Sequence, residues 1–271
     1  MTQPPRQYPP SENKTAIVTG GSQGIGRATA LCLARAGWNV VISARNGDKL
    51  AEAQRYITAQ LASTATGTAK NKIETFQGDM TVEKDVEAMF DVARQRCSGA
   101  VDLIFINAGM SGPNVPLQQL SLADWTSVVN VNLTGAWLCA REAFRHMDGT
   151  HAMGGRIVLN GSISAHAPRP NSSAYTATKH AISGLTKSLA LDGRKYNIAV
   201  TQLDIGNAVS AMTEGMGAGA MQADGSVRAE PRMDVEHAAR QVVHVAEMPL
   251  EANVLNITVM ATNMPSHVAR G

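Results

Sequence analysis

Thr15-Ala-Ile-Val-Thr-Gly-Gly-Ser-Gln-Gly-Ile-Gly26 is the stretch that settles the architecture. A short apolar and β-branched run, Thr15–Thr19, passes into a glycine-rich turn and then into a helical stretch near Gly24–Ala36. Strand, glycine turn and helix in that order let backbone N–H groups and the positive helix end meet a pyrophosphate. Gly20 permits the turn, Gly24 allows close approach of the phosphates, and Gly26 lets the helix pack on the strand. Ser22, Gln23 and Ile25 fill the remaining positions of the candidate cradle. Glycines also make plain turns, so this signal takes its weight from the rest of the chain.

The rest of the chain alternates regularly. Further β-branched runs stand at Asn39–Ala44, Ile73–Gln77, Val101–Asn107, Arg156–Asn160, Ile198–Asp204 and Val254–Met260. Helical stretches separate them near Asp48–Leu61, Val82–Arg96, Leu122–Met147, Ser173–Arg194 and Val235–Ala246. Val101–Ile106 and Ile157–Leu159 are apolar without alternation, as in strands covered on both faces. The pattern predicts an α/β fold: a doubly wound, seven-stranded parallel sheet with right-handed crossovers and helices on both faces. No linker splits residues 14–271, which are expected to form a single domain. Ala62–Lys72, rich in Ser, Thr, Ala and Gly, is expected to be a surface loop. The Gly-rich segment Thr213–Arg232, within 207–233, is expected to be a flexible substrate loop, either a lid or a plain connection.

Composition excludes several classes. Of 271 residues 44% are hydrophobic and 17% charged, with a net charge of +2, so neither nucleic acid nor an anionic membrane is the expected partner. Cys32, Cys97 and Cys139 are scattered and form no disulfide or metal spacing; a reducing, cytoplasmic setting is expected. Cys32 and Cys139 lie in apolar helical stretches, where a buried inert thiol is expected. No run approaches the length of a membrane span. Residues 1–13, with Pro4, Pro5, Pro9 and Pro10, read as a disordered tail without a secretory signal.

The second strand ends Ser43-Ala-Arg-Asn46. A site that prefers NAD places an acidic residue there for the ribose 2′-hydroxyl, whereas Arg45 can pair bidentately with a 2′-phosphate. Arg45, with Asn46 beside it, therefore favours NADP(H) over NAD(H); the alternative is a solvated surface arginine. Asp79 and Met80 follow the third strand, where a side chain can reach the adenine edge; Asp79 can equally serve the start of the next helix. Asn107-Ala108-Gly109 closes the fourth strand with small residues that leave room for a ribose, or simply make a turn.

Tyr175 and Lys179, spaced Tyr-Thr-Ala-Thr-Lys, share one face of a helix, with Ser162 thirteen residues upstream of the tyrosine. A nearby ammonium favours phenolate, which suits Tyr175 to proton transfer near neutral pH. Ser162 can hold a substrate oxygen beside it.

Together these segments resemble the short-chain dehydrogenase/reductase family from about Lys14 to Met260. The matching motifs are Thr-Gly-x3-Gly-x-Gly at Thr19–Gly26, Asn107-Ala108-Gly109, Asn132 within Val-Asn-Leu-Thr-Gly, Ser162, and Tyr175-x3-Lys179. The resemblance implies a Rossmann domain in which Tyr175 is the general acid in carbonyl reduction and the base in alcohol oxidation. It implies that Ser162 hydrogen-bonds the reacting oxygen and that Lys179 binds the nicotinamide ribose and tunes the tyrosine. Asn132 would hold its helix bent around a water linking Lys179 to solvent. The chain departs from the family where Ile205 stands in place of the usual proline before Gly206, and where Met260-Ala-Thr-Asn-Met-Pro265 replaces the frequent Asp-Gly-Gly ending. By analogy Ala208 offers its backbone, and Ser210 its hydroxyl, to the carboxamide. The family commonly forms dimers or tetramers, and a homo-oligomer is expected through the helices holding Asn132 and Tyr175. Trp137, Leu138, Ile182, Leu185 and Leu189 supply such faces or the core.

Met110, Ser164, His166 and Met212 are the expected substrate-pocket residues, with a solvated loop histidine the alternative for His166. The seven histidines build no metal-ligand cluster. The expected activity is an NADP(H)-dependent oxidoreductase acting on a small carbonyl or secondary alcohol. The alternative is a non-catalytic NADP(H)-binding sensor, which would have no need of Ser162 or Tyr175. An epimerase or dehydratase would need a longer substrate region after the sixth strand.

Overall fold

The computed structural model describes residues 13–64, 71–151, 154–217 and 219–265. Seven strands form one sheet: β1 Thr15–Thr19, β2 Asn39–Ala44, β3 Ile73–Gln77, β4 Leu103–Ile106, β5 Gly155–Asn160, β6 Ile198–Ile205 and, last in the chain, β9 Asn256–Val259. Their spatial order is β3-β2-β1-β4-β5-β6-β9, with every neighbouring pair parallel. Parallel pairing requires long crossovers, and helices supply them on both faces. Alternate strand residues feed two cores. Val18, Ile42, Phe105 and Val158 pack with α1 (Gly24–Arg35), α2 (Gly47–Thr64) and α7 (Val235–Glu247). Ile17, Val41, Ile104 and Leu159 pack with α3 (Glu83–Arg96), α5 (Gly135–Met147) and α6 (Ser173–Asp192). The strand order reverses between β1 and β4, so the crevice at their carboxyl ends is the natural ligand position.

Four local departures from the sequence expectations have identifiable causes. The helix expected over Leu122–Met147 is interrupted: α4 (Leu122–Val129) passes through a π turn, Asn130–Thr134, before α5. The turn is held from outside the helix, because the Asn132 amide exchanges two hydrogen bonds with the main chain of Met110, at 2.8 and 2.9 Å. Second, α2 continues through Ala62–Thr64, where composition predicts a loop. Third, Ile205 extends β6: it pairs with Val259, and Gly206 N–H donates to the Val259 carbonyl at 2.8 Å. A proline carries no N–H and is rarely accommodated inside a sheet, so the isoleucine lets the strand run on. Fourth, the segment 207–233 contains a 3-10 helix, Ala211–Gly217, and a two-stranded hairpin of β7 (Ala220–Met221) and β8 (Val227–Arg228).

Of the apolar residues weighed as core or contact surface, Leu138 and Ile182 are buried, and Trp137 is exposed beneath the Arg141 guanidinium. Cys139 is buried and its thiol is pushed up to about 12; burial also raises half-buried Cys32 and Cys97. No helix among the described residues is long and apolar enough to cross a membrane. The tail, except Asn13, lies outside the described residues.

Candidate active site

A cleft of about 540 Å3 opens at the carboxyl ends of β1, β4, β5 and β6. Its floor is a line of polar side chains crossing the strand ends. Thr19 Oγ1 accepts the N–H groups of Asn107 and Ala108 at 2.9 and 3.0 Å, and Asn107 Nδ2 donates to the Thr19 carbonyl at 2.9 Å. Asn160 Nδ2 donates to Asn107 Oδ1 at 2.9 Å, and Lys179 Nζ donates to the Asn160 carbonyl at 2.6 Å. The line ties three strands to α6 and fixes the Lys179 ammonium, which is only 6% exposed.

The nucleotide side is built for a phosphate-bearing ligand. Gly20 and Gly24 have φ of +65° and +53°, and a Cβ on Gly26 would lie 2.3 Å from the Gly20 carbonyl oxygen. Each position therefore requires glycine. The α1 N-terminus starts after Gln23 with no side-chain cap, so its first N–H groups point out of the helix without a side-chain acceptor. Gly20, Ser22, Gln23, Gly24, Ile25, Asn107, Ala108, Gly109, Gly206, Ala208 and Ser210 line this part of the cleft. These donors and the open glycine turn fit the diphosphate of a dinucleotide. Ala208 presents a carbonyl already taken by the Thr213 hydroxyl, and Ser210 N–H donates to Thr213 Oγ1 at 3.1 Å.

The outer nucleotide positions lie beyond the cleft. Arg45 is 73% exposed, and its guanidinium is 4.0 Å from the Asp79 carboxylate, a loose surface contact. Asn46 Oδ1 accepts the Lys49 N–H at 2.9 Å and serves the start of α2. Asp79 Oδ1 accepts both the N–H and the hydroxyl of Thr81 at 2.9 Å. Met80 turns its side chain into the core at 7% exposure, which leaves its backbone as the part able to meet an adenine.

Ser162, Ser164, Tyr175 and Lys179 line the same cleft. Tyr175 and Lys179 stand one turn apart on α6, with Nζ 5.5 Å from the centre of the phenol ring. Ser162 Oγ accepts the Ser164 N–H at 3.1 Å, which leaves its own proton to donate. Asn132, 4% exposed, stays behind this face. Its Nδ2 donates to Thr178 Oγ1 at 3.2 Å, and that hydroxyl donates to the Tyr175 carbonyl at 2.8 Å. Asn132 thus links the Met110 segment to the helix that carries the tyrosine.

Two expected pocket residues stand elsewhere. Met110 and His166 are not part of the cleft lining, whereas Met212 is. Met110 contributes its main chain to the Asn132 pair, and His166 Nε2 sits 2.8 Å from Asp204 Oδ2. Asp204, to which no sequence motif assigns a role, organises this corner of the site. Its carboxylate, wholly buried, meets four donors: Ser162 N–H at 2.9 Å and Gln202 Nε2 at 2.7 Å on Oδ1, with Asn256 Nδ2 and His166 on Oδ2, both at 2.8 Å. A buried carboxylate is tolerable when its lone pairs are filled, and this one fixes the backbone of Ser162. Its readable signal is an acid inside the otherwise apolar end of β6. Arg169 and Asn207, also in the lining, carry no comparable local signal.

The profile of the short chain dehydrogenase family matches residues 14–220. The chain is 35% identical over 205 residues to a cis-4-hydroxycyclohexanecarboxylate dehydrogenase of Sinomonas cyclohexanicum, covering 75% of this chain and 76% of that one. It is 34% identical over 202 residues to the short chain dehydrogenase/reductase astE of Aspergillus oryzae, covering 74% of each. Among solved structures, a metagenomic short-chain oxidoreductase in complex with NADP superposes with a TM-score of 0.75 at 24% identity, over 94% of this chain and 99% of that one. An alcohol dehydrogenase of the archaeon Thermococcus sibiricus, complexed with 5-hydroxy-NADP, superposes with a TM-score of 0.74 at 22% identity, over 91% and 95%. The two structures share the fold. Profile and sequence relatives together establish that the chain belongs to the short-chain dehydrogenase/reductase family of nicotinamide-dependent oxidoreductases.

Proposed function

We propose that this protein is an NADP(H)-dependent oxidoreductase that interconverts a small carbonyl compound and its secondary alcohol, working as a carbonyl reductase. The observation that carries the reading is that Ser162, Tyr175 and Lys179 line the same cleft as the glycine turn at the uncapped start of α1. When bound, the nicotinamide supplies or accepts the hydride. Everything else falls to the chain. Tyr175 gives its phenolic proton to the carbonyl oxygen in reduction and takes one back in oxidation. Ser162 donates its free hydroxyl proton to the same oxygen. Lys179 donates to the Asn160 carbonyl at 2.6 Å and keeps its ammonium 5.5 Å from the centre of the Tyr175 ring, beside the site of proton transfer. Tyr175→Phe is expected to lower kcat by at least about a thousandfold, with the NADPH dissociation constant changed less than about threefold. Turnover that survives the substitution would remove Tyr175 from the role of acid and leave room for a binding protein on the same fold.

The preference for NADP(H) rests on Arg45. Its exposure and its loose contact with Asp79 leave the guanidinium available to a 2′-phosphate. Arg45→Asp should weaken NADPH binding by about tenfold or more while changing NADH binding little. Fluorescence titration with both cofactors measures this, and equal losses would make Arg45 a plain surface charge.

A further inference from the structure

The cleft lining contains a charge that the proposed chemistry does not use. Arg169 lines the same cleft as Ser162, and its side chain is 24% exposed. Behind it stands Glu230, whose side chain is 2% exposed and does not line the cleft. The two pair end-on, Nη1 to Oε1 at 2.7 Å and Nη2 to Oε2 at 2.5 Å. Gln222 Nε2 donates to Oε1 at 2.9 Å, and Asn207 Nδ2 donates to Oε2 at 2.6 Å, so the carboxylate holds four donors. Burial pushes the Glu230 carboxyl up, but the bonds from Arg169, Gln222 and Asn207 and the guanidinium charge outweigh it and hold it below the usual carboxylate range. Asn207 Oδ1 also accepts from Arg169 Nη2 at 3.1 Å, fixing the guanidinium from the cleft side.

We infer that the Arg169–Glu230 pair sets substrate charge: it makes this a pocket for uncharged carbonyl compounds and alcohols with polar edges, and it disfavours carboxylates. The inference rests on the oxidoreductase reading for where the substrate sits. Apart from Lys179, which is committed to the reaction centre, Arg169 is the only charged side chain among the described residues lining the cleft. An anion entering a partly dry site loses hydration and needs an uncompensated cation in return. Arg169 offers a cation already cancelled from behind, so a carboxylate gains little there and is repelled by Glu230. A neutral substrate loses nothing by this. The rest of the wall suits it: the amides of Asn114 and Asn171 and the hydroxyl of Ser111 can hydrogen-bond its polar edges, and Met212 and Met221 can cover an apolar body.

The test compares matched ketones that differ only in charge, 4-acetylbenzoate with 4-acetylbenzamide and 4-oxocyclohexanecarboxylate with its primary amide. Both turnover and equilibrium binding are measured on the NADP-loaded protein, for the wild type and for Glu230→Gln. The wild type should favour the amides by about tenfold or more in kcat/KM or in dissociation constant. Glu230→Gln, by uncovering the Arg169 charge, should narrow or invert that ratio. If Glu230→Gln does not fold, the wild-type ratio decides alone. Equal or better use of the carboxylates by the wild type, an unchanged ratio in a folded variant, or binding of none of the ketones would overturn the inference. Selective binding of the amides without turnover would sustain the inference and count against the reductase reading instead.

Discussion

Ser162 owes its position to a residue on another strand. Its backbone N–H ends on Asp204, a carboxylate with no exposure and four donors, and a Cβ added to Gly161 would lie 2.1 Å from Asp204 Oδ1. Acid and glycine therefore form one unit: the missing side chain at 161 is what lets the carboxylate come close enough to hold its neighbour. Asp204→Asn keeps the shape but removes the charge and puts an N–H2 where an oxygen accepted, so either the Ser162 N–H loses its acceptor or the Asn256 amide must flip and His166 must take the tautomer that accepts. A hydrogen bond to a charged group contributes about 1.5–3 kcal/mol, and its loss beside a reacting centre displaces Ser162. The expected result is a fall in kcat of about tenfold or more with KM for NADPH nearly unchanged. Steady-state kinetics with both substrates varied decides this, and a variant with wild-type kcat would reduce Asp204 to a packing residue. Tyr175, Lys179 and Ser162 are readable from spacing. The partners of Asp204 are not, because they come from positions up to 52 residues away and share no local pattern.

At the scale of the element, β5 carries a buried cation on the side remote from the chemistry. Arg156 is 2% exposed, and its guanidinium clasps the turn between α7 and β9 through the carbonyls of Met248, Pro249 and Ala252, at 3.2–3.4 Å. Among the described residues no carboxylate offsets its burial, which pushes the group down to about 10, and its Nε has no partner. Long bonds to neutral carbonyls offset little of the cost of desolvating a cation, so its contribution to the fold is mainly volume. Arg156→Met should cost less than about 1.5 kcal/mol, and Arg156→Ala about 3 kcal/mol through the cavity it leaves. Urea unfolding of the two variants measures the difference; a loss above about 3 kcal/mol in Arg156→Met would show that the carbonyl bonds dominate. Elements set by their own residues are legible in detail. The expected bounds of β1, β2 and β3 coincide with the observed ones because each is a short β-branched run between turn formers. The π turn at Asn130–Thr134 is not legible as periodicity. It exists because Met110, outside the helix, captures the Asn132 amide.

Across the whole molecule, the parallel sheet and its crevice are legible in the alternation of apolar runs and helical stretches, since a parallel sheet leaves few other ways to bury such strands. The stretch after β6 resists the same reading. Its hairpin is only two residues a side, and the stretch just past it is anchored by Glu230 to Arg169, 61 residues earlier, so neither periodicity nor composition marks it. That separation has an evolutionary corollary. The residue that decides whether the pocket presents a charge does not touch the cleft, so a single substitution at Glu230 can redirect substrate choice while the lining stays unaltered. Relatives with identical pocket walls can then diverge in diet, and the divergence would be recorded just past the hairpin rather than among the residues that line the cleft.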